Sequence, residues 1–338
     1  MLKPVVNVYR GETIESTHFG HLAVVDSRGK LLYSLGNPQT VTFLRSSAKP
    51  FQAIPVVESG AARKFNFSSK EIAIIAGSHS GEPEHVEVVS SILKKIGLGP
   101  QHLQCGTHVP HFYTAKNLKP EPGREFSVLQ HNCSGKHAGM LAIAVFKNLP
   151  VENYLDFEHP VQKMITEAIA YVCDYPKERI KMGLDGCSAP VHALPIYNMA
   201  YGFARFVSPY MVPREKAKAY SIIYQAMLDH PDMVAGEKRY DTELMTNCHE
   251  KLIAKAGAEG LHCIGFVEKH WGMTVKISDG AIRALYQFSL EALRQLGVVA
   301  AEELEKLKYF RHKIIENWSN KKVGYIKAEF DLEKHQNG

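Results

Sequence analysis

The spacing of apolar residues along this chain changes twice. Val5–Tyr9 and the stretch "HLAVVDSRGKLLYSL" (21–35) are rich in β-branched and aromatic residues and broken by a polar Asp26–Gly29 segment, which predicts a strand followed by a hairpin. Val41–Leu44 predicts a third strand. In the middle the apolar positions recur three and four apart, predicting helices over Glu84–Ile96, Lys136–Phe146, Pro160–Cys173, Ile196–Phe206 and Glu215–Leu228. Alternation returns in "GLHCIGFVEKHWGMTVKISDG" (260–280), a second hairpin turning near His270–Gly272, before two closing helices, Ala281–Leu296 and Ala301–Tyr309. Strands at both ends with helices between predict an α+β fold, in which an antiparallel sheet is assembled from the two ends of the chain around a helical region. No repeat, low-complexity tract or linker divides residues 1–338, so a single domain is expected.

Composition narrows the function classes. A chain of 338 residues, 45 % hydrophobic and 22 % charged, can bury a core without staples. Its net charge of +5 is small and its lysines are scattered, so no nucleic-acid partner is expected. No run reaches the ~18 apolar residues of a membrane span, so no membrane partner is expected either. The opening "MLKPVVNVYRGETIES" lacks the charged segment and apolar stretch of a secretory signal, and the expected location is the cytoplasm. The six cysteines are spread widely, which suits reduced thiols or metal ligands better than a disulfide framework.

Candidate chemistry begins at "FLRSSAKPFQA" (43–53), where polar residues interrupt apolar flanks. Pro50 fits the first turn of a helix, which places Ser46 and Lys49 at its entrance, three residues apart on one face. A serine needs a base to become a nucleophile, and lysine serves only when burial and neighbouring cations lower its pKa from about 10.4 towards 7. An S-x-x-K spacing also arises by chance. "IIAGSHSGEPEH" (74–85) ends an apolar run in small polar residues, where Ser78 or Ser80 either points into a cleft or caps the following helix. "LIAKAGAEG" (252–260) places Lys255 two residues before a glycine that allows close approach of a neighbouring segment. The order S-x-x-K, serine element, K-x-G is that of serine β-lactamases and penicillin-binding proteins.

"QHNCSGKHAGM" contains Cys133, Lys136 and His137, and "GLDGCSAPVHA" contains Asp185 and Cys187. Each reads as a strand-like piece passing through Cys-Ser into a helix. Two cysteines at helix starts could hold Zn²⁺, yet no zinc-finger or H-E-x-x-H spacing is present, and buried structural cysteines are the reading the residues alone favour. In "AGEKRYDTELM", Arg239 and Asp241 could bind a charged substrate, or Asp241 could cap a helix.

Taken together, "RSSAKPFQA", "GSHSGEPEH", "HNCSGKHAGML", "DGCSAP", "VAGEKRYDTELM" and "KAGAEG" resemble the asparaginase II family, the rhizobial-type or class 3 L-asparaginases, in order over nearly the whole chain. The resemblance implies a serine β-lactamase-like fold and hydrolysis of the side-chain amide of L-asparagine. It implies two Ser–Lys pairs, Ser46 with Lys49 and Ser78 with Lys255, with either serine open as the nucleophile. It further implies Zn²⁺ held by Cys133, Lys136 and Cys187, a pocket lined by Arg45, Asp185 and His137, and a homodimer. The alternatives are a β-lactamase-like serine esterase or peptidase, which would not need the cysteine motifs, and a non-catalytic zinc-stabilised binding protein, which would not need Ser46.

Overall fold

The structure, a computed structural model, describes residues 2–335. Twelve strands are formed among them: β1 (Lys3–Arg10), β2 (Thr13–Asp26), β3 (Leu31–Leu35), β4 (Val41–Phe43), β5 (Lys181–Leu184), β6 (Pro190–Pro195), β7 (Leu252–Gly257), β8 (Leu261–Phe266), β9 (Trp271–Ile277), β10 (Lys313–Glu316), β11 (Lys322–Ala328) and β12 (Glu333–Lys334). Nine of them form one antiparallel sheet in the order β10-β11-β1-β2-β9-β8-β7, with β3 beside the second half of β2 and β12 beside β3. The expected assembly from the two chain ends is therefore present, and the α+β class with it. The Asp26–Gly29 turn closes the first hairpin through Asp26 N–H to Lys30 O and Gly29 N–H to Asp26 O. The remaining strands form a small sheet, β4-β6-β5. The third expected strand belongs to it rather than to the main sheet.

The centre of the large sheet is covered on both faces. β8 is buried at every position and β9 at all but its first, which an antiparallel strand allows only when neither face meets water. Helix Ile196–Phe206 covers one face, with Ala200 O against Gly272 of β9. Helix Ile282–Leu296 covers the other, with Phe288 against Gly20 of β2. Gly20 pairs with Ile277, five residues from Gly272 along an unbroken register, so the two contacts fall on opposite faces.

The predicted helices are observed as Pro83–Lys95, Ser134–Phe146, Pro160–Val172, Ile196–Phe206 and Arg214–Asp229. The last predicted helix is broken at Leu307 into Ala301–Lys306 and Lys308–Arg311. Where the helical region meets the large sheet, the 44–48 turn docks on β7. Ser47 Oγ donates to Lys255 O at 2.7 Å, and a Cβ on Gly257 would lie 2.9 Å from Leu44 O. The glycine two residues after Lys255 thus provides the close approach its position suggests. It also closes what would otherwise be a bare sheet edge.

Candidate active site

Lys49 opens a short helix, Lys49–Gln52, with Pro50 in its first turn, and is almost fully buried at 1 % exposure. Its Nζ donates to Ser78 Oγ at 2.8 Å and to Asn132 O at 2.9 Å. Burial pushes its pKa below that of an ordinary lysine, and the nearby Lys136 adds to the effect. Cys133 and Cys187 pull it partly back. Ser46, expected to pair with Lys49, lies one turn ahead in the 3₁₀ segment Arg45–Ala48; it is half-buried, and its Oγ makes no hydrogen bond among the described residues. Lys49 is buried where Ser46 is only partly so, and the contact the lysine forms is with Ser78.

Ser78 is buried, and its chain segment is fixed from both sides. Its N–H donates to Val234 O at 2.7 Å, and its own carbonyl accepts from Arg239 at 2.6 Å. At Gly77 a Cβ would lie 2.4 Å from Met233 O, so only glycine lets the two backbones meet here. Neither Ser78 nor Ser80 caps the following helix; Glu82 does so in a capping box with His85, and Ser80 donates to Ala235 O.

Lys255, on β7, is fully buried. Its Nζ donates to Ala256 O at 3.0 Å and stands 3.6 Å from Asp241 Oδ2. Burial lowers its pKa to about 7, with Asp241 opposing the shift and Lys49 and Arg239 assisting it. The expected Ser78–Lys255 hydrogen bond is not formed among the described residues. Asp241 is not the helix cap; Arg239 holds that position, and the Asp241 carboxylate turns into the core against Lys255, Ala256 N–H and His262.

The two cysteine segments come together. Cys133 is the N-cap of helix Ser134–Phe146, whereas Cys187 sits in the tight turn between β5 and β6, so the expectation of a helix after each cysteine holds for one only. "DGCSAP" turns through Ser188 at φ +65° straight into a strand. Lys136 Nζ donates to Cys187 Sγ at 3.0 Å. A hydrogen bond with Cys187 holds the Cys133 thiol well below its usual pKa against the cost of burial, with Lys49 and Lys136 adding their charge. Burial also works to lower the pKa of Lys136, but the Cys187 and Cys133 sulfurs outweigh it and raise the net value. Four other cysteines behave differently: burial pushes Cys105, Cys248 and Cys263 up to about 12, and raises Cys173 as well. All six thiols are free.

Among the described residues no three of His, Cys, Asp and Glu gather to hold a metal. The donor set around Cys133 nonetheless suits Zn²⁺, with two sulfurs in contact, one already inclined to lose its proton, and the Lys136 nitrogen beside them. His137 Nδ1 bonds Tyr154 OH at 2.6 Å, while its Nε2 is buried with no nitrogen or oxygen partner and lies near the Cys187 sulfur. Burial brings the His137 pKa down to about 4. Arg45, itself at φ +47°, pairs with Asp185 at 2.8 Å. Burial raises the Asp185 pKa, but Lys136 and Arg45 hold the net value below the ordinary range.

Several participants were not singled out by sequence. The Asn132 carbonyl that receives Lys49 is braced by His108, whose Nε2 takes the Asn132 N–H at 3.1 Å. His131 takes the Cys133 N–H at 3.0 Å, and burial presses both His131 and His111 down to about 3. The signal was present as plentiful histidine between residues 108 and 137, but the His108 partner lies 24 positions away, with no sequence spacing to betray it.

Solved structures similar to this chain include a β-lactamase from Mycobacterium bovis, at 13 % identity, covering 83 % of this chain and 95 % of that one, with a TM-score of 0.38. A D-alanine carboxypeptidase from Burkholderia cenocepacia is similar at 12 % identity, 86 % and 92 % coverage, and a TM-score of 0.36. These likenesses are loose, and the fold rests here on its own strands. No curated protein matches the sequence. The model of the L-asparaginase II family matches residues 6–328, and the chain belongs to that family of asparaginase-type hydrolases.

Proposed function

We propose that this protein is an L-asparaginase that hydrolyses the side-chain amide of L-asparagine to L-aspartate and ammonia by serine–lysine nucleophilic catalysis. The observation that carries the reading is the buried Lys49 in contact with Ser78 within a chain of this family. A lysine with a lowered pKa can be neutral and accept a hydroxyl proton, which an ordinary lysine cannot do near pH 7.

Ser46 is the hydroxyl open to a substrate, being half-exposed and without a protein partner. Its oxygen attacks the amide carbon as Lys49, one turn away, swings from Ser78 to take the proton, and the proton then passes to the departing nitrogen as the C–N bond breaks and ammonia leaves. Water cleaves the resulting ester, with Ser78 linking Lys49 towards the Lys255 side of the site. Arg45 and Asp185, joined near the mouth, offer one charge of each sign to the amino-acid head group. Cys133, Lys136 and Cys187 would hold Zn²⁺, which would supply a fixed positive charge for binding rather than a hydroxide. The 2.8 Å Lys49–Ser78 contact favours a second reading in which Ser78 attacks instead.

The test is ammonia release from L-asparagine, with L-glutamine and a chromogenic β-lactam alongside, by wild type, Ser46→Ala and Ser78→Ala. Release from asparagine that disappears in Ser46→Ala supports the first reading. Release that survives there and disappears in Ser78→Ala supports the second. Turnover of the β-lactam alone would replace the asparaginase by a serine esterase or peptidase.

A further inference from the structure

The Lys255 ammonium is enclosed on every side by protein. Its neighbours are Asp241 from helix Tyr240–Asn247, Arg239 at that helix's cap, Lys49, Cys133, and Cys263 and His262 from β8. Of these Asp241 is the only carboxylate and the one ion-pair partner, at 3.6 Å, and it is itself buried; Cys133 opposes the lysine's loss of charge from further off and less strongly. Its two oxygens are fully engaged. Oδ2 accepts Ala256 N–H at 2.8 Å and faces Lys255 Nζ at 3.6 Å, while Oδ1 meets His262 Nε2 at 3.2 Å. A carboxylate can only accept, so His262 Nε2 carries a proton towards Asp241, and its Nδ1 is hydrogen-bonded with Ser289 Oγ, 2.9 Å away. Tyr240, whose ring lies 5.1 Å from that of His262, stacks on Tyr286 and meets Phe310, which keeps water from the far side of the chain.

We propose that Asp241, braced by His262 and Ser289, is the positioning residue that fixes the Lys255 amine at the substrate site and sets the pH range over which that amine exchanges its proton. The inference rests on the asparaginase reading only for Lys255's part in turnover; the arrangement itself can be tested without substrate. Burial and two neighbouring cations drive Lys255 towards neutrality, and Asp241 is the main force opposing them. Removing the carboxylate therefore lowers the lysine's titration point. Removing the His262 N–H leaves Asp241 with less support for its charge, so it holds the lysine proton more firmly and the titration point rises.

Two readouts test this, on the full chain. NMR of isotopically labelled lysine side chains follows the titration of Lys255, assigned by its absence in Lys255→Arg, and the pH profile of ammonia release follows the consequence. In Asp241→Asn the Lys255 titration and the acid limb of the profile should both move about one unit or more to lower pH. In His262→Leu the titration should move up, and in His262→Gln, whose amide can still donate to Asp241, it should stay near that of wild type. If Asp241→Asn fails to fold, the His262 pair carries the test. A Lys255 titration unmoved in a folded Asp241→Asn, or unmoved in His262→Leu, overturns the proposal, even where activity falls. If the NMR shifts appear but no variant, nor wild type, releases ammonia from asparagine, the positioning stands and the assigned reaction fails.

Discussion

Three buried lysines meet in this site, and the two sides of the site treat them differently. On the sheet side, Lys255 faces a carboxylate, and its pKa falls to about 7. On the helical side, Lys49 and Lys136 share a pair of cysteines, yet one pKa is lowered and the other raised. The difference follows from contact. Lys136 donates directly to the Cys187 sulfur, whereas Lys49 gives its two short hydrogen bonds to a neutral hydroxyl and a neutral carbonyl and feels the Cys133 sulfur too weakly to offset its burial. Desolvation acts on all three, and a partner's charge at hydrogen-bond distance decides which lysine keeps its proton. The helical side therefore divides into a base beside a serine and a cation beside sulfur.

The largest effect expected from breaking this division is Lys49→Met. It should lower ammonia release by about 10³-fold or more, because among the described residues no other base contacts Ser78 and Lys49 is the lysine one turn from Ser46, and steady-state assay of the folded variant checks it. Next comes Cys187→Ala, which leaves the Lys136 ammonium buried without its partner. A loss of about 3–5 kcal/mol in urea unfolding is expected, together with loss of zinc from protein purified in its presence. Zinc binding should also tighten as pH rises, because Lys136 must shed a proton to become a ligand.

A smaller effect separates the two sides by pH. With Lys255 lowered to about 7, its neutral form is populated above that value, so wild-type turnover should fall as pH drops from about 8 to 6; a flat profile there would remove Lys255 from the proton relay. Asp185→Asn should raise KM for asparagine about tenfold with little change in kcat, the pattern of lost ground-state binding. The smallest is Arg10→Ala, which removes an exposed pair with Glu15 far from the site and should change unfolding free energy by less than about 0.5 kcal/mol.

Much of the fold could be read in advance because its signals are local. Helix Ile196–Phe206 was placed to the residue, and the Asp26–Gly29 hairpin and Lys255–Gly257 approach follow from alternation and a turn. The strands β10 and β11 were not foreseen individually, because "KIIE" and "KVGYIKA" are short, half-exposed pieces whose identity comes from pairing with each other and with β1. Within the site, Lys49, Ser78, Cys133, Lys136 and Cys187 were named from motif blocks and do meet. Asp241 reads in sequence only as a cap or a binder of a charged substrate, since nothing near it in sequence shows that its partner is Lys255, on a strand beyond the helix end, or His262 on the next strand.

The sequence by itself determined the residue types available for chemistry and the elements that carry them, because period, turn residues and short motifs act within a few positions. The tertiary structure alone decided the pairings: Lys49 with Ser78 across 29 residues, Lys136 with Cys187 across 51, and Arg45 with Asp185 across 140. Those contacts set which groups are desolvated and which are charge-compensated. Protonation state depends on that balance, and it is fixed only when the sheet and the helical region close on one another.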